Sequence, residues 1–181
     1  MGSGILTVAL PTIAADISLS ERLLLWPASI YALAAGCTLL VFGSMAEVVG
    51  GKKMWLTGTG LYIVSTLACG LCRTGIRLIV FRTLLGVSIS MCLPAAVGIT
   101  TKAFDQGTRR NTSFACQGVG QPLGYALGLI FGGVFADTVG WRWGYYMSAI
   151  IIFFSFLAAF WDLPPDEQKD VSWKRLGGEI N

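Results

Sequence analysis

The chain has no histidine and few charged residues. Histidine is the commonest metal ligand and the commonest general base, so its absence removes the usual starting point for a metal site or an acid–base enzyme. Charged residues make up 13% of the chain and hydrophobic residues 54%, whereas a soluble domain carries about a quarter charged residues. This balance predicts a membrane protein. The net charge of +3 is too small and too scattered to predict a nucleic-acid partner.

Cysteine is present but does not form a convincing metal or redox motif. All five cysteines lie in apolar stretches, and Cys69 and Cys72 form a single C-x-x-C pair. A zinc site needs a second pair or histidines at suitable spacing, and the sequence has neither. We interpret the cysteines as packing residues within helices, and we predict no metal and no cofactor.

Long apolar stretches dominate the rest of the chain. A bilayer core requires about 20 apolar residues per helix. Five stretches with at most one charge meet this length: Leu23–Ala46, Met54–Cys72, Leu78–Thr101, Asn111–Ala136 and Trp143–Trp161. Residues 1–15 form a sixth, shorter stretch, which we interpret as a helix truncated at its start. We predict an all-α, polytopic membrane bundle of about six transmembrane helices over residues 1–161. Residues 162–181 are then a connecting segment that leads to a missing second bundle.

The lysines and arginines predict the orientation of this bundle. One face combines segments 47–53, 102–110 and 162–181 and carries eight of them, whereas the other face carries four: Arg22, Arg73, Arg77 and Arg142. Because cytoplasmic loops of membrane proteins are enriched in lysine and arginine, we expect the first face to be cytoplasmic. The plasma membrane is the predicted location.

Two segments 90 residues apart share a pattern. Residues 46–52 read AEVVGGK and residues 136–142 read ADTVGWR, so each has a small residue, an acid, two further residues, a glycine, one residue and a base. Three spans separate the copies, which places them on opposite sides of the membrane. This arrangement predicts two inverted three-helix repeats, as found within each half of many transporters.

Glycines are concentrated in the stretch Asn111–Ala136, and four of them recur every fourth residue on one helix face. The set is Gly118, Gly120, Gly124, Gly128, Gly132 and Gly133. A stripe of small residues lets another helix backbone approach closely, and Pro122 in the same stretch removes one helix hydrogen bond. Two interpretations remain open from spacing alone: static packing or dimerisation, and a close-fitting hinge that seals a pathway.

Arg82 is the only charge deep within a predicted span. A buried arginine in a membrane is costly and usually faces a cavity or a polar partner. The alternative is that its side chain extends toward the surface, since Arg77 is only five residues away. We favour the interior position, where Arg82 could hold an anionic group or tune a nearby acid, although no acid lies mid-span to pair with it.

The remaining polar and aromatic features have simpler explanations. Glu47 with Gly50, Lys52 and Lys53 could form a charge latch between helix ends. From the residues alone we prefer the simpler explanation, the ordinary enrichment of positive charge at the cytoplasmic face. Seven aromatic residues near span ends are typical interface anchors: Trp26, Trp55, Trp141, Trp143, Tyr145, Tyr146 and Trp161.

Five motifs in order resemble the major facilitator superfamily, specifically the first six helices of its fourteen-span drug:proton antiporters, common in fungi. They are VALPTI at residues 8–13, GSMAEVVGGKK at 43–53, RTLLG at 82–86, GVGQPLG at 118–124 followed by Gly132 and Gly133, and WRWGYY at 141–146. The resemblance covers essentially the whole chain.

The resemblance implies a function and functional residues. It implies export of a small organic solute, a drug or secondary metabolite, against inward proton flow. A proton or substrate pathway is implied at Arg82, Gly86, Gln121 and Pro122, an antiporter-type motif at the glycines of the fifth helix, and a cytoplasmic latch at Gly43, Glu47, Gly50, Lys52 and Lys53. The implied partners are the lipid bilayer, the solute, and a second transporter half or a second copy of the chain.

The chain also departs from the family pattern. Glu47 stands where aspartate is usual, Gly51 where arginine is usual and Leu85 where glutamine is usual, and the first-helix acid of many such antiporters falls on Gly2. No carboxylate therefore lies where a mid-membrane proton carrier is expected.

Two further classes of protein compete with a transporter half. The first is a truncated membrane protein without transport activity, which the departures favour. The second is a membrane enzyme, which the lack of histidine and of paired acids disfavours. We therefore expect no enzymatic activity.

Overall fold

The computed structural model describes residues 2–17 and 26–162, all of which lie in helices or in short connections. The six helices are α1 (Gly2–Ile17), α2 (Trp26–Val49), α3 (Gly51–Leu71), α4 (Gly75–Ala103), α5 (Thr108–Asp137) and α6 (Trp141–Asp162). The predicted connecting segment after residue 162 lies outside the described residues. All-helical architecture is therefore confirmed for the described part.

Five helices, α2 to α6, are long and apolar enough to cross a membrane, whereas α1 is a shorter apolar helix. The five predicted long spans are confirmed in number and approximate position. Residues 23–25 of the first lie outside the described residues, Cys72 follows the end of α3, and the helices otherwise reach or extend beyond the predicted bounds. The connection predicted at residues 47–53 is in fact the single residue Gly50, because α2 continues to Val49 and α3 begins at Gly51. Charged residues mark where a helix leaves the apolar region, and they remain helical themselves.

The helices pack in a pattern that repeats between the two halves of the chain. The most extensive contacts are those of α2 with α4, α3 with α4 and α1 with α5. An inverted repeat pairs α1 with α4, α2 with α5 and α3 with α6. Under this pairing the α1–α5 contact corresponds to the α2–α4 contact, and the α3–α6 contact corresponds to itself. Both contacts are present, so the packing agrees with an inverted three-plus-three repeat.

The two turns that share the repeated sequence pattern also share a backbone conformation. Gly50 and Gly140 both have φ of 101°, in the left-handed region that glycine adopts without a Cβ clash. Each glycine separates two helices that run in opposite directions. We name the two ends of the bundle after their basic residues: the Lys52 side contains Gly50, and the Arg142 side contains Gly140.

The main buried cluster joins α1, α3, α4 and α6. Its fully buried members include Leu6, Ile13, Leu78, Leu85 and Tyr145. Cys69 and Cys72 belong to the same cluster, which confirms these two as packing residues, whereas Cys37 and Cys116 are exposed in the described bundle and do not pack in its core. Burial raises the pKa of the Cys72 thiol, although Arg77 opposes the shift, so little reactive thiolate forms near neutral pH.

Candidate functional site

Arg82 lies inside the helix bundle. It is seven residues, or about 10 Å, past the start of α4 at Gly75. Its exposed fraction is 1%, so other helices enclose the side chain and it does not extend toward the surface. The side chain therefore lies in the interior of the bundle, where the sequence predicted it.

The partners of Arg82 are neutral groups from two other helices. Its Nη2 donates a hydrogen bond of 2.9 Å to the carbonyl oxygen of Gly2 in α1 and a second, short one to the hydroxyl oxygen of Tyr145 in α6. The guanidinium carbon also lies 5.4 Å from the centre of the Tyr145 ring, within range of a cation–π interaction. Arg82 therefore ties α4 to α1 and α6.

Tyr145 was predicted to be an interface anchor, and this prediction is wrong because the side chain is completely buried. Trp141, one turn earlier in α6, is 3% exposed and packs edge-on against the Tyr145 ring. By contrast, Trp143 and Trp161 are exposed, as interface anchors should be. Trp141 and Tyr145 are four residues apart and therefore share the inner face of α6, whereas Trp143 lies on another face. This spacing was visible in the sequence.

Gly86, one turn after Arg82, lets α4 approach the backbone of α2. A Cβ on Gly86 would lie 2.5 Å from the carbonyl oxygen of Tyr31 and 3.1 Å from the amide nitrogen of Ala35, closer than side-chain atoms approach backbone. Gly4 makes the matching contact of α1 with α5, where a Cβ would lie 2.5 Å from the carbonyl oxygen of Tyr125. The two halves of the repeat thus use a glycine for the same helix crossing.

The glycines of α5 divide into two groups. Gly128 and Gly132 are buried, and a Cβ on Gly132 would lie 2.8 Å from the Cα of Ile5 in α1. Gly124 and Gly133 are half-buried. Gly118 and Gly120 are exposed and have no atom within 4 Å of a built Cβ. Close packing thus explains one end of the stripe, and the end toward the Lys52 side is uncovered.

Gln121 and Pro122 lie on the exposed part of α5, and the structure does not bring them to Arg82. A polar contact nearer the start of α5 was missed by the sequence analysis: the Gln117 side chain donates a 2.7 Å hydrogen bond to the hydroxyl oxygen of Thr100 in α4. No charge or motif marked Gln117, so only the fold identifies this contact.

The segment 43–53 forms the turn on the Lys52 side. Gly43 is half-buried and open to its surroundings, and Glu47 lies in the last turn of α2, with its side chain outside the part that the structure describes. Lys52 is half-buried, and Lys53 is exposed. A Cβ on Gly51 would lie 2.9 Å from a side-chain carbon of Ile99, so α3 begins in close contact with the end of α4.

The Arg142 side carries an ion pair that the sequence analysis did not anticipate. The Nη2 atom of Arg142 lies 2.9 Å from the Oδ2 atom of Asp16, and both side chains are about two-fifths exposed. The Trp141 indole donates a 3.2 Å hydrogen bond to the same oxygen. The pair borders an open cleft of about 450 Å³ lined also by Thr12 and Tyr146. It fastens the end of α1 to the start of α6.

Comparisons with known proteins support the sequence resemblance. The sequence model of the Major Facilitator Superfamily matches residues 1–179. The chain is 62% identical over 148 residues to MFS-type transporter 1 of Pyricularia oryzae, covering 82% of this chain and 24% of that protein.

Two more distant relatives have names that refer to specific compounds. The cephamycin export protein CmcT of Amycolatopsis lactamdurans is 31% identical over 77% of this chain and 29% of its own length. The aminotriazole resistance protein of Saccharomyces cerevisiae is 30% identical over 77% of this chain and 27% of its own length. The chain therefore spans less than a third of each of these relatives.

Proposed function

Since this chain belongs to the Major Facilitator Superfamily of membrane transporters, we propose that it is the first six-helix half of a secondary transporter that exports small organic solutes. The relatives named for cephamycin export and aminotriazole resistance support export of a drug or secondary metabolite. The observation that carries the proposal is Arg82, a charge enclosed within an apolar bundle. Burying it is costly, and an apolar side chain would give a simpler core.

The residues proposed for the transport pathway lie in two places, the bundle interior and an exposed part of α5. Arg82 and Gly86 lie inside the bundle, whereas Gln121 and Pro122 lie on an exposed part of α5. In transporters of two bundles the substrate path lies between the bundles. We therefore assign Gln121, Pro122, Gly118 and Gly120 to the surface that a second bundle, or a second copy of this chain, covers.

The segment 43–53 is proposed as a latch between helix ends on the cytoplasmic side. Gly50 supplies the left-handed turn, and Gly51 brings α3 against α4. Glu47, Lys52 and Lys53 are the charged groups proposed to hold the latch. This assignment places the Lys52 side in the cytoplasm, and the plasma membrane is the proposed location of the multi-pass protein.

Reconstitution tests the proposed transport. The chain is purified from membranes and its oligomeric mass in detergent is measured. It is then incorporated into liposomes loaded with a fluorescent zwitterionic solute, which carries both a cationic group and a carboxylate, and solute release is recorded with and without a proton gradient. We expect faster release than from protein-free liposomes. Acceleration by the gradient supports proton antiport. Release no faster than from protein-free liposomes, with a correctly folded and oriented chain, contradicts transport by this chain and favours a non-transporting membrane protein.

A further inference from the structure

The charge of Arg82 is not balanced by a carboxylate in the described part of the chain. Its hydrogen-bond acceptors, the Gly2 carbonyl and the Tyr145 hydroxyl, are neutral. The acids within the described residues lie near helix ends or in a connection: Asp16, Glu47, Asp105, Asp137 and Asp162. The other five acids of the chain lie outside the described residues. An arginine enclosed in a bundle within a membrane is costly, and neutral acceptors such as a carbonyl and a hydroxyl leave its charge uncompensated.

One donor of Arg82 is unused. Its Nε is buried and has no hydrogen-bond partner. A buried N–H without an acceptor costs about 1–3 kcal/mol, and more for a charged group. Arg82 therefore combines a charge that no described carboxylate balances with a buried donor that has no acceptor.

Tyrosine hydroxyls from two other helices lie at this arginine or beside its partner Gly2. Tyr145 accepts a hydrogen bond from Arg82, which leaves its own O–H available to donate. Tyr62 of α3 packs against the buried cluster to which Tyr145 belongs. The Tyr62 hydroxyl lies on the Gly2 side, 3.5 Å from a Cβ built on Gly2. These donors and the guanidinium favour a negatively charged acceptor.

We propose that Arg82, Tyr62 and Tyr145 form a binding site for one monovalent anionic group, either a halide ion or the carboxylate of a transported solute. A single negative charge balances the single guanidinium, and Nε and the tyrosine hydroxyls supply its hydrogen bonds. The halide assignment is independent of transport, whereas the carboxylate assignment rests on the proposed function and narrows it to anionic or zwitterionic solutes.

Thermal unfolding of the purified chain in detergent measures this binding without any transport. Sodium gluconate, whose anion is bulky, is replaced stepwise by sodium chloride and, separately, by sodium benzoate, at constant ionic strength. A bound anion stabilises the folded state by mass action, so we expect a saturable rise in the unfolding midpoint of about 2–4 °C. A rise with chloride identifies a halide site. A rise with benzoate alone identifies a carboxylate site. No rise with either anion overturns the proposal.

Two variants locate the response. Arg82→Gln removes the charge, and we expect the anion affinity to fall at least about tenfold. Gly2→Asp has room for its Cβ and places an internal carboxylate beside Arg82, so we expect a variant that folds without added anion and no longer responds to it. The matched control is Arg77→Gln, which removes an exposed arginine of the same helix and should respond as the unmodified chain does.

The Gly2→Asp variant keeps the test decisive if Arg82→Gln does not fold. If the unfolding midpoint of Gly2→Asp rises with added anion as it does in the unmodified chain, the proposal is overturned. The same holds if the rise persists in Arg82→Gln. Anion binding in a chain that moves no solute contradicts only the proposed function, whereas transport without anion binding contradicts only this inference.

Discussion

Two arginines of this bundle have opposite surroundings. Arg142, at the start of α6, is partly exposed and lies 2.9 Å from the carboxylate of Asp16. Arg82, within α4, is almost completely buried and contacts a carbonyl and a hydroxyl. The accessible charge of Arg142 has a carboxylate partner. The enclosed charge of Arg82 has a greater need for such a partner, but has none among the described residues.

The difference separates a structural from a functional explanation. An exposed ion pair contributes about 0–1 kcal/mol, so Arg142 and Asp16 fasten two helix ends at little cost or gain. A buried arginine with only neutral partners does not stabilise the bundle through its charge. Its presence is better explained by a ligand or by transport, and the following variants test this contrast from the largest expected effect to the smallest.

Substitution of Gly86, one turn from Arg82, should cause the largest loss of stability. In Gly86→Leu the added side chain meets the backbone of α2, where a Cβ alone would lie 2.5 Å from the Tyr31 carbonyl oxygen. We expect destabilisation of about 3 kcal/mol, because α2 and α4 must separate. Denaturant unfolding in detergent measures the change. The control Gly36→Leu, on α2 with no atom within 4 Å of its Cβ, should leave the stability nearly unchanged, and an equal loss in both variants would refute the close contact.

Removing one neutral partner of Arg82 should have an intermediate effect. Tyr145→Phe deletes the hydroxyl that accepts a hydrogen bond from Arg82 and keeps the ring. We expect a loss of about 2 kcal/mol, since a charged donor is left without an acceptor. The same unfolding measurement applies. Tyr146→Phe, on the adjacent half-buried position, is the control, and a Tyr145→Phe chain as stable as this control would contradict the described contact.

The exposed ion pair should matter least. Asp16→Asn removes the charge that faces Arg142 and leaves an oxygen for the Trp141 indole. We expect a change in unfolding free energy below about 1 kcal/mol, decreasing further in high salt because exposed charges are screened. A loss as large as that of Tyr145→Phe would show that the Arg142 side is a major stabilising region, and the contrast between the two arginines would no longer hold.

Much of the bundle follows from the sequence because lipid imposes a simple rule on length and charge. The five long spans and the enclosed position of Arg82 are predictable from charge-free stretches alone. The repeat was predicted from a seven-residue pattern, and the shared conformation of Gly50 and Gly140 supports it.

The contacts between distant helices are not predictable in this way. Asp16 and Arg142 are far apart in the sequence, and both were assigned to connections. Tyr145 was missed because a search for partners of a buried arginine looks for acids, whereas the partner is a neutral aromatic residue. The division of the α5 glycines into a packed and an open group depends on which part of α5 contacts α1.

The most direct test of a functional role for Arg82 is solute release from the reconstituted liposomes by two arginine variants of the same helix. Arg82→Ala and Arg77→Ala each remove one arginine from α4, the first enclosed and the second exposed. The account predicts that Arg82→Ala lowers the initial rate at least about tenfold, equivalent to about 1.4 kcal/mol, while Arg77→Ala stays within about twofold of the unmodified chain. Equal rates for Arg82→Ala and the unmodified chain would contradict the role of Arg82 in transport.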